Sequence, residues 1–427
     1  MFRFTDRLAA WLKENDMLKR MKMLCLGIAV CMLGASAQAQ NPCPGYNAKH
    51  NVNLACEIAT ETRTSGIGSS LSDLGPTVAS ELTNLPIATA VTGSGIAFSK
   101  ALGVFTASTD SLGTILTQRG ETIGRHNFLA SFTYQRFSFD TLDGISLSSF
   151  PTVNQYVDPK TGNVSYTQAV SDIKLNIDQY TALASFGLTN RIDASLIVPF
   201  SRVILDTNSQ VRQYVAYSSG SLGVVNAPSQ PLYGSASGIG DVTLNLKANV
   251  YKGEHTSIAL GNDIRFKTGD PYNYLGSGAT GLKPYLVYSR RGRITPNVNV
   301  GYQWSGRSVL YPSPASGADL RLPSIFLFSF GADARVVPRF TLVSEFLGQW
   351  VLNGPRVALA PSPVAALGGV ANTVLPVVDS YAIRTANVGV KVNPYKRLYA
   401  DASMMIELDD AGLRNRVQPL VGIAYRF

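Results

Sequence analysis

The chain is short of charge, of histidine and of long apolar runs. Only 15% of its 427 residues are charged, against roughly 25% in an ordinary soluble protein. Its apolar share is a typical 45%, so it is not a disordered chain, which would be polar and charged. Repeated apolar runs of ~20 residues, the mark of a helical membrane protein, are missing. Three histidines and three tryptophans leave little imidazole or indole for a site. The 37 basic and 28 acidic residues are scattered, and no block forms a nucleic-acid-binding stripe. What the chain does have is 38 glycines, 19 tyrosines and 18 phenylalanines, which form turns and strands.

At the start, Lys19-Arg20-Met21-Lys22 precedes an uncharged run from Leu24 to Ala37, and Ala37-Gln38-Ala39 supplies the small residues a signal peptidase reads. The run is too short to span a ~30 Å bilayer as a helix. Residues 1–39 are therefore expected to be a Sec signal peptide removed before Gln40, with translation beginning at Met1, Met17 or Met21. Acylation at Cys31 would need a small residue before it, and Val30 stands there. The mature chain keeps Cys43 and Cys56, a pair expected to form a disulfide in an oxidising compartment; a metal site would need two more ligands, and only His50 lies near.

Residues 40–125 are rich in small residues and broken by Gly and Pro, which suits short helices and loops rather than a barrel wall. From His126 the pattern turns to period two. In the run from Asp241 to Val250, Val242, Leu244, Leu246, Ala248 and Val250 share one face, with Asp241, Thr243, Asn245, Lys247 and Asn249 on the other. The same test predicts strands at 127–139, 173–188, 191–205, 241–251, 257–267, 282–289, 295–305, 324–336, 340–352, 380–392, 398–408 and 415–427. Short connections near 189–190, 252–255, 291–293, 338–339 and 393–396 alternate with longer ones at 140–172, 206–240, 268–281, 306–323, 353–379 and 409–414.

An even set of about twelve strands with short and long turns at opposite ends predicts an all-β fold: a transmembrane antiparallel up-and-down β-barrel over 126–427 in the bacterial outer membrane, preceded by a small irregular or helical segment. The apolar strand face would meet lipid, where unpaired backbone edges cost several kcal/mol per group, so the sheet must close. Trp304, Trp350, Tyr302 and Phe266 near strand ends fit interfacial girdles. Val421, Ile423, Tyr425 and Phe427 alternate to a terminal aromatic, as expected of a chain delivered to the outer-membrane assembly machinery. The run 173–188 changes parity near Gln179, which suggests a bulge, and Arg384 shares the face of Val388 and Val390.

Two motifs are set aside. Gly276 to Lys283 is glycine-rich, but Leu282 follows the last glycine and no strand-to-helix context exists, so it is a turn. Asp270-Pro-Tyr-Asn273 lacks calcium-loop spacing. Outer-membrane hydrolases need a histidine at the rim of the wall; His50, His126 and His255 lie in the tail, at the first strand and in a short turn. Neither an enzyme nor a cofactor is expected.

The polar parity places Asp193, Asp241, Lys247, Asp263, Arg265, Lys267, Lys283 and Glu345 in the lumen, with Asp401 and Arg426, among Asn297, Asn299, Gln303, Tyr285 and Tyr399. Such a lining is either a wetted passage or filler paired with itself. Residues 40–125 would enter the lumen as a hatch or hang in the periplasm.

The stretches Ser108–Gly113, Arg119–Gly124, Tyr134–Asp140, Asp143-Gly144, Phe186–Asp193, Gly238–Asp241 and Thr268–Gly278 resemble the meta-pathway phenol-degradation family of outer-membrane transporter-like β-barrel proteins. The resemblance implies a channel-like barrel for small, aromatic or hydrophobic molecules, without catalytic residues. The alternative is a structural or surface-interaction barrel with a sealed lumen. Outer-membrane lipid, lipopolysaccharide, the assembly machinery through Phe427 and a small-molecule solute are the expected partners, with no nucleic acid.

Overall fold

The computed structural model describes Leu54, residues 77–78, 80–81, 96–99, 104–107, 111–217, 222–312, 318–364, 369–395 and 397–427. The expected signal peptide and the Cys43 to Cys56 disulfide lie outside these residues.

The wall consists of β1 Phe128–Phe139, β2 Val164–Gly187, β3 Ile192–Ala216, β4 Thr243–Lys252, β5 Thr256–Arg265, β6 Gly281–Arg290, β7 Ile294–Ser305, β8 Ser324–Val337, β9 Phe340–Val364, β10 Gly369–Tyr395, β11 Leu398–Glu407 and β12 Val417–Arg426. Each pairs antiparallel with the next, and β12 pairs with β1 from Leu420↔Gln135 to Arg426↔Leu129, closing a twelve-stranded barrel. Closure leaves no edge in the ring. The short turns share one end, which in barrels of this kind faces the periplasm.

Leu246, Leu260, Leu286, Phe330, Leu342, Val388, Met404, Val421 and Ile423 all point outward and are exposed. A belt of large apolar side chains around the whole ring has no counterpart on a soluble monomer and marks contact with hydrocarbon. Trp304 and Trp350 are exposed on the same side, with the Tyr302 ring 4.7 Å from that of Trp304.

Four strands are longer than the sequence pattern suggested. β2 and β3 have 24 and 25 residues, β9 has 25 and β10 has 27, whereas crossing the bilayer takes about 9–11. The segments expected as loops at 140–172, 206–240 and 353–379 are largely strand: Phe150–Val157 pairs with the outer half of β2, and Leu222–Ile239 with that of β3. β9 and β10 continue as a ladder from Gly354↔Asp379 to Val364↔Gly369.

The bulge expected near Gln179 does not exist, since β2 pairs with both neighbours without a register shift. Odd-numbered residues face inward from Ala169 to Gly187 of β2; the chemistry of the two faces exchanges instead. Below the exchange, Gln179 and Thr181 face in and Tyr180 faces out; above it, Ile173, Leu175 and Ile177 are buried inside while Lys174 is exposed outside. On the adjacent strand Tyr180 sits opposite Phe200 and Asp178 opposite Arg202. Tyr134 donates to Asp178 at 2.7 Å on this outer surface. The exchange is therefore the level at which the wall leaves the membrane: below it lipid takes the apolar face, above it water takes the polar one and the apolar residues turn inward.

Those inward residues form the largest core cluster. Phe137, Phe139, Leu175, Ile177, Val203 and Leu205 of the wall pack with Leu142, Leu147 and Tyr274 of the connections and with Leu54 and Val78 of the N-terminal segment. The N-terminal segment also contains a strand pair, Ile96–Ser99 with Val104–Ala107, where only helices and loops were expected.

Candidate functional site

At the periplasmic end of the bore, residues 111–124 run between the walls, held chiefly through their main chain. Glu345 of β9 accepts from the N–H groups of Leu116, at 2.9 and 3.1 Å, and Thr117, at 2.6 Å. Asp193 of β3 accepts from the Ile123 N–H at 3.0 Å. Lys247 of β4 donates to the carbonyls of Arg119 and Glu121 at 3.2 and 2.8 Å, Lys391 of β10 to that of Thr114 at 2.5 Å and Arg426 of β12 to that of Ile123 at 3.1 Å. Asn249 donates to the Gly120 carbonyl at 2.6 Å, and the Gly120 N–H donates to Ser289 at 2.8 Å. Asn299 is oriented to donate to the Gln118 carbonyl and accept from its N–H at 2.9 and 2.7 Å. Anchors on opposite sides of the ring make this segment a plug. Ile115 and Leu116 add apolar contact with Val343, Met405 and Leu420.

The plug also makes ion pairs. Glu121 meets Arg119 at 3.4 Å and Arg291 at 2.9 Å. Burial alone would raise its carboxyl, and the two guanidinium groups outweigh that, holding it below the ordinary value of 4.5. Toward the outer end, Glu81 accepts from the Tyr381 hydroxyl at 2.7 Å and lies 3.7 Å from Arg414. Burial dominates there and raises the Glu81 carboxyl above 4.5 against the pull of Arg414.

Between the plug and the outer apolar core lies a cavity of about 260 Å³. Leu116 and Gln118 contribute its floor, and Tyr274 and Leu275 of the connection before β6 its roof. Ile177, Leu183 and Ile197 give the β2 and β3 side its apolar surface, interrupted by Gln179, Ser195 and Ser201, and Leu347 adds to it from β9; Asn245, Asp263, Arg265, Lys283, Asn299 and Gln303 make the side formed by β4 to β7 polar.

The eight charged residues expected to line a lumen fall into four roles. Asp193, Lys247 and Glu345 hold the plug and are buried by it. Asp263, Arg265 and Lys283 line the cavity, with Lys283 and Asp263 paired at 2.5 Å. Asp241, also at the cavity, accepts from the N–H groups of Gly269 and Ser277 at 3.1 and 2.8 Å and so folds the connection that forms the roof. Lys267 lies beyond the end of β5 and is exposed, because the strand stops at Arg265 where the chain turns into that connection. The apolar side of the cavity, Ile177, Leu183 and Ile197, went unrecognised in the sequence. Its signal was present in the inward parity of β2 and β3. His126 and His255 are exposed at the periplasmic end, and no cluster of metal-ligating side chains exists among the described residues.

A closed, lipid-faced barrel with its own chain drawn through the bore defines an outer-membrane β-barrel. The chain belongs to the family described as "Putative MetA-pathway of phenol degradation", which matches residues 154–374. Among solved structures it is similar to an outer-membrane channel from Pseudomonas putida F1, at 13% identity over 72% of this chain and 98% of that one, with a TM-score of 0.44. It is similar to the toluene transporter TbuX of Ralstonia pickettii, at 12% identity over 73% and 92%, TM-score 0.34. A FadL homologue of Pseudomonas aeruginosa matches at 9% identity over 80% and 97%, TM-score 0.32. No curated protein matches the chain.

Proposed function

We propose that the protein is a gated outer-membrane conduit for small molecules with apolar bodies, in which residues 111–124 close the periplasmic mouth and solute pauses in the cavity above them. The observation that carries this reading is the cavity of about 260 Å³ within the barrel, lined by Leu116 and Gln118 of the plug together with the wall. A barrel serving only as a scaffold has no need of a half-apolar, half-polar chamber at mid-bore, and family membership under phenol degradation agrees with aromatic solutes. In this reading residues 1–39 direct Sec export, residues 40–125 form the hatch and Phe427 is the signal to the assembly machinery, with lipid and lipopolysaccharide around the wall. Phe427 is exposed, its ring 5.3 Å from Phe128 and 4.9 Å from Tyr425.

The second reading, a sealed structural barrel, is favoured by the outer apolar cluster, which packs Leu54 and Val78 against the wall. Uptake of small aromatic solutes by proteoliposomes separates the two. The conduit requires flux that rises when the plug anchors are weakened; no flux in wild type or in a protein lacking residues 40–125 establishes the sealed barrel.

A further inference from the structure

The chamber has a chemical preference that its walls define. We propose that it is a binding site for a small uncharged amphiphile: a single ring or short chain lying against Ile177, Leu183 and Ile197, with one acceptor oxygen, a hydroxyl or carbonyl, taken by the side-chain amide of Gln303. The inference rests on the conduit reading for its biological meaning but on the cavity alone for its chemistry.

Size comes first. An apolar cavity of ~150 Å³ holds benzene, so the 260 Å³ here accommodates a substituted ring and not a long acyl chain. Charge comes next. Lys283 is paired with Asp263 at 2.5 Å. Arg265 donates to the Ser305 hydroxyl at 3.2 Å and sits in the field of the Asp241 carboxylate. The cations of the polar side are thus balanced by carboxylates, and an ionic ligand would lose its hydration without meeting a charge reserved for it.

The third observation is Gln303 itself. It is 8% exposed, it lines the cavity and its Nε2 has no hydrogen-bond partner. A buried amide N–H left without an acceptor is costly, and native proteins satisfy nearly all such groups. That nitrogen presents no surface to the chamber as the side chain stands, so a turn of the terminal amide brings it to the chamber, where an oxygen on a ligand whose body lies on the opposite, apolar side supplies the acceptor. A ligand without oxygen leaves the amide unmet, as does one whose charge draws it toward Lys283.

Titration calorimetry on the detergent-solubilised full-length protein with three ring compounds tests this. Benzyl alcohol carries the oxygen, ethylbenzene is its isostere without it, and benzoate carries charge. Benzyl alcohol is expected to bind about tenfold more tightly than either of the others, the scale of one buried hydrogen bond. Gln303→Leu is expected to reverse the order of benzyl alcohol and ethylbenzene. If Gln303→Leu does not fold, the wild-type series still decides. Ethylbenzene binding as well as benzyl alcohol, benzoate binding best, or no binding by any of the three overturns the proposal. Binding in this order without flux through proteoliposomes removes the conduit and keeps the site; flux without this order does the reverse.

Discussion

Both carboxylate oxygens of Glu345 accept from a single main-chain group, the N–H of Leu116, at 2.9 and 3.1 Å. The wall thus grips the plug by its backbone, and the same carboxylate takes the Thr117 N–H and the Asn387 amide. Glu345→Ala leaves these donors buried without an acceptor, at a cost of about 1–3 kcal/mol each. The expected result is a plug that opens: longer conductive events in planar bilayers and faster protease cleavage within residues 111–124. Glu345→Gln keeps one acceptor oxygen and is expected to show a smaller effect.

The Glu121 carboxyl is held below its ordinary value of 4.5 by Arg119 and Arg291 acting against burial. A group with a depressed folded value contributes stability above the unfolded value and loses it as pH falls through the folded one. Acidification from pH 4.5 downward is therefore expected to loosen the plug at its Arg291 contact. Conductance or protease sensitivity at pH 7 and pH 3 reads this, and Glu121→Gln is expected to remove most of the difference.

Glu81 has the opposite sign. Burial raises its carboxyl above 4.5, with Arg414 and the Tyr381 hydroxyl opposing and Asp143 and Asp409 assisting. Its contribution is complete below 4.5 and is lost as pH rises through the raised value. Hydrogen exchange, corrected for intrinsic rates, is expected to show residues 77–81 better protected at pH 4 than at pH 8. Equal protection at both would contradict the assignment. Tyr381→Phe, which removes the 2.7 Å bond, is expected to weaken this contact by about 1 kcal/mol.

The outward belt makes a depth-dependent prediction. Leu260 lies mid-strand on the lipid face of β5, while Ile294 begins β7 beside a short turn. Leu260→Arg is expected to destabilise the folded barrel in lipid by about 2–4 kcal/mol and Ile294→Arg by about 0–1. Reversible unfolding in liposomes measures both, and equal costs would contradict the placement of the membrane.

Gly187, at the end of β2, admits the plug's last residues. A Cβ there would collide with the Gly124 carbonyl. The same point carries the bonds from His126 N–H to the Gly187 carbonyl, at 2.9 Å, and from the Gly187 N–H to Asn127, at 3.0 Å. Gly187→Val is expected to cost about 1–3 kcal/mol by overpacking and to raise conductance, whereas Gly162→Ala, on an outer turn with nothing within 4 Å, is expected to leave conductance unchanged.

The amino-acid sequence by itself determined the strands and their sidedness. Val242, Leu244 and Leu246 against Thr243, Asn245 and Lys247 form a local pattern imposed by backbone geometry, and all twelve strands are found where that pattern placed them. Inward residues such as Asp193, Lys247 and Glu345 were legible for the same reason. Tertiary structure alone decided what those residues touch. The plug is held by main-chain groups of Thr114, Leu116, Thr117 and Gly120, which every sequence possesses, so no side-chain pattern announces it; the wall's buried charges were the only hint. Tertiary structure also decided the exchange of faces near Gln179. An apolar residue at an inward position is a break in rhythm when read along the chain. It becomes intelligible only where the strand rises out of lipid and the driest place available is the barrel's own interior.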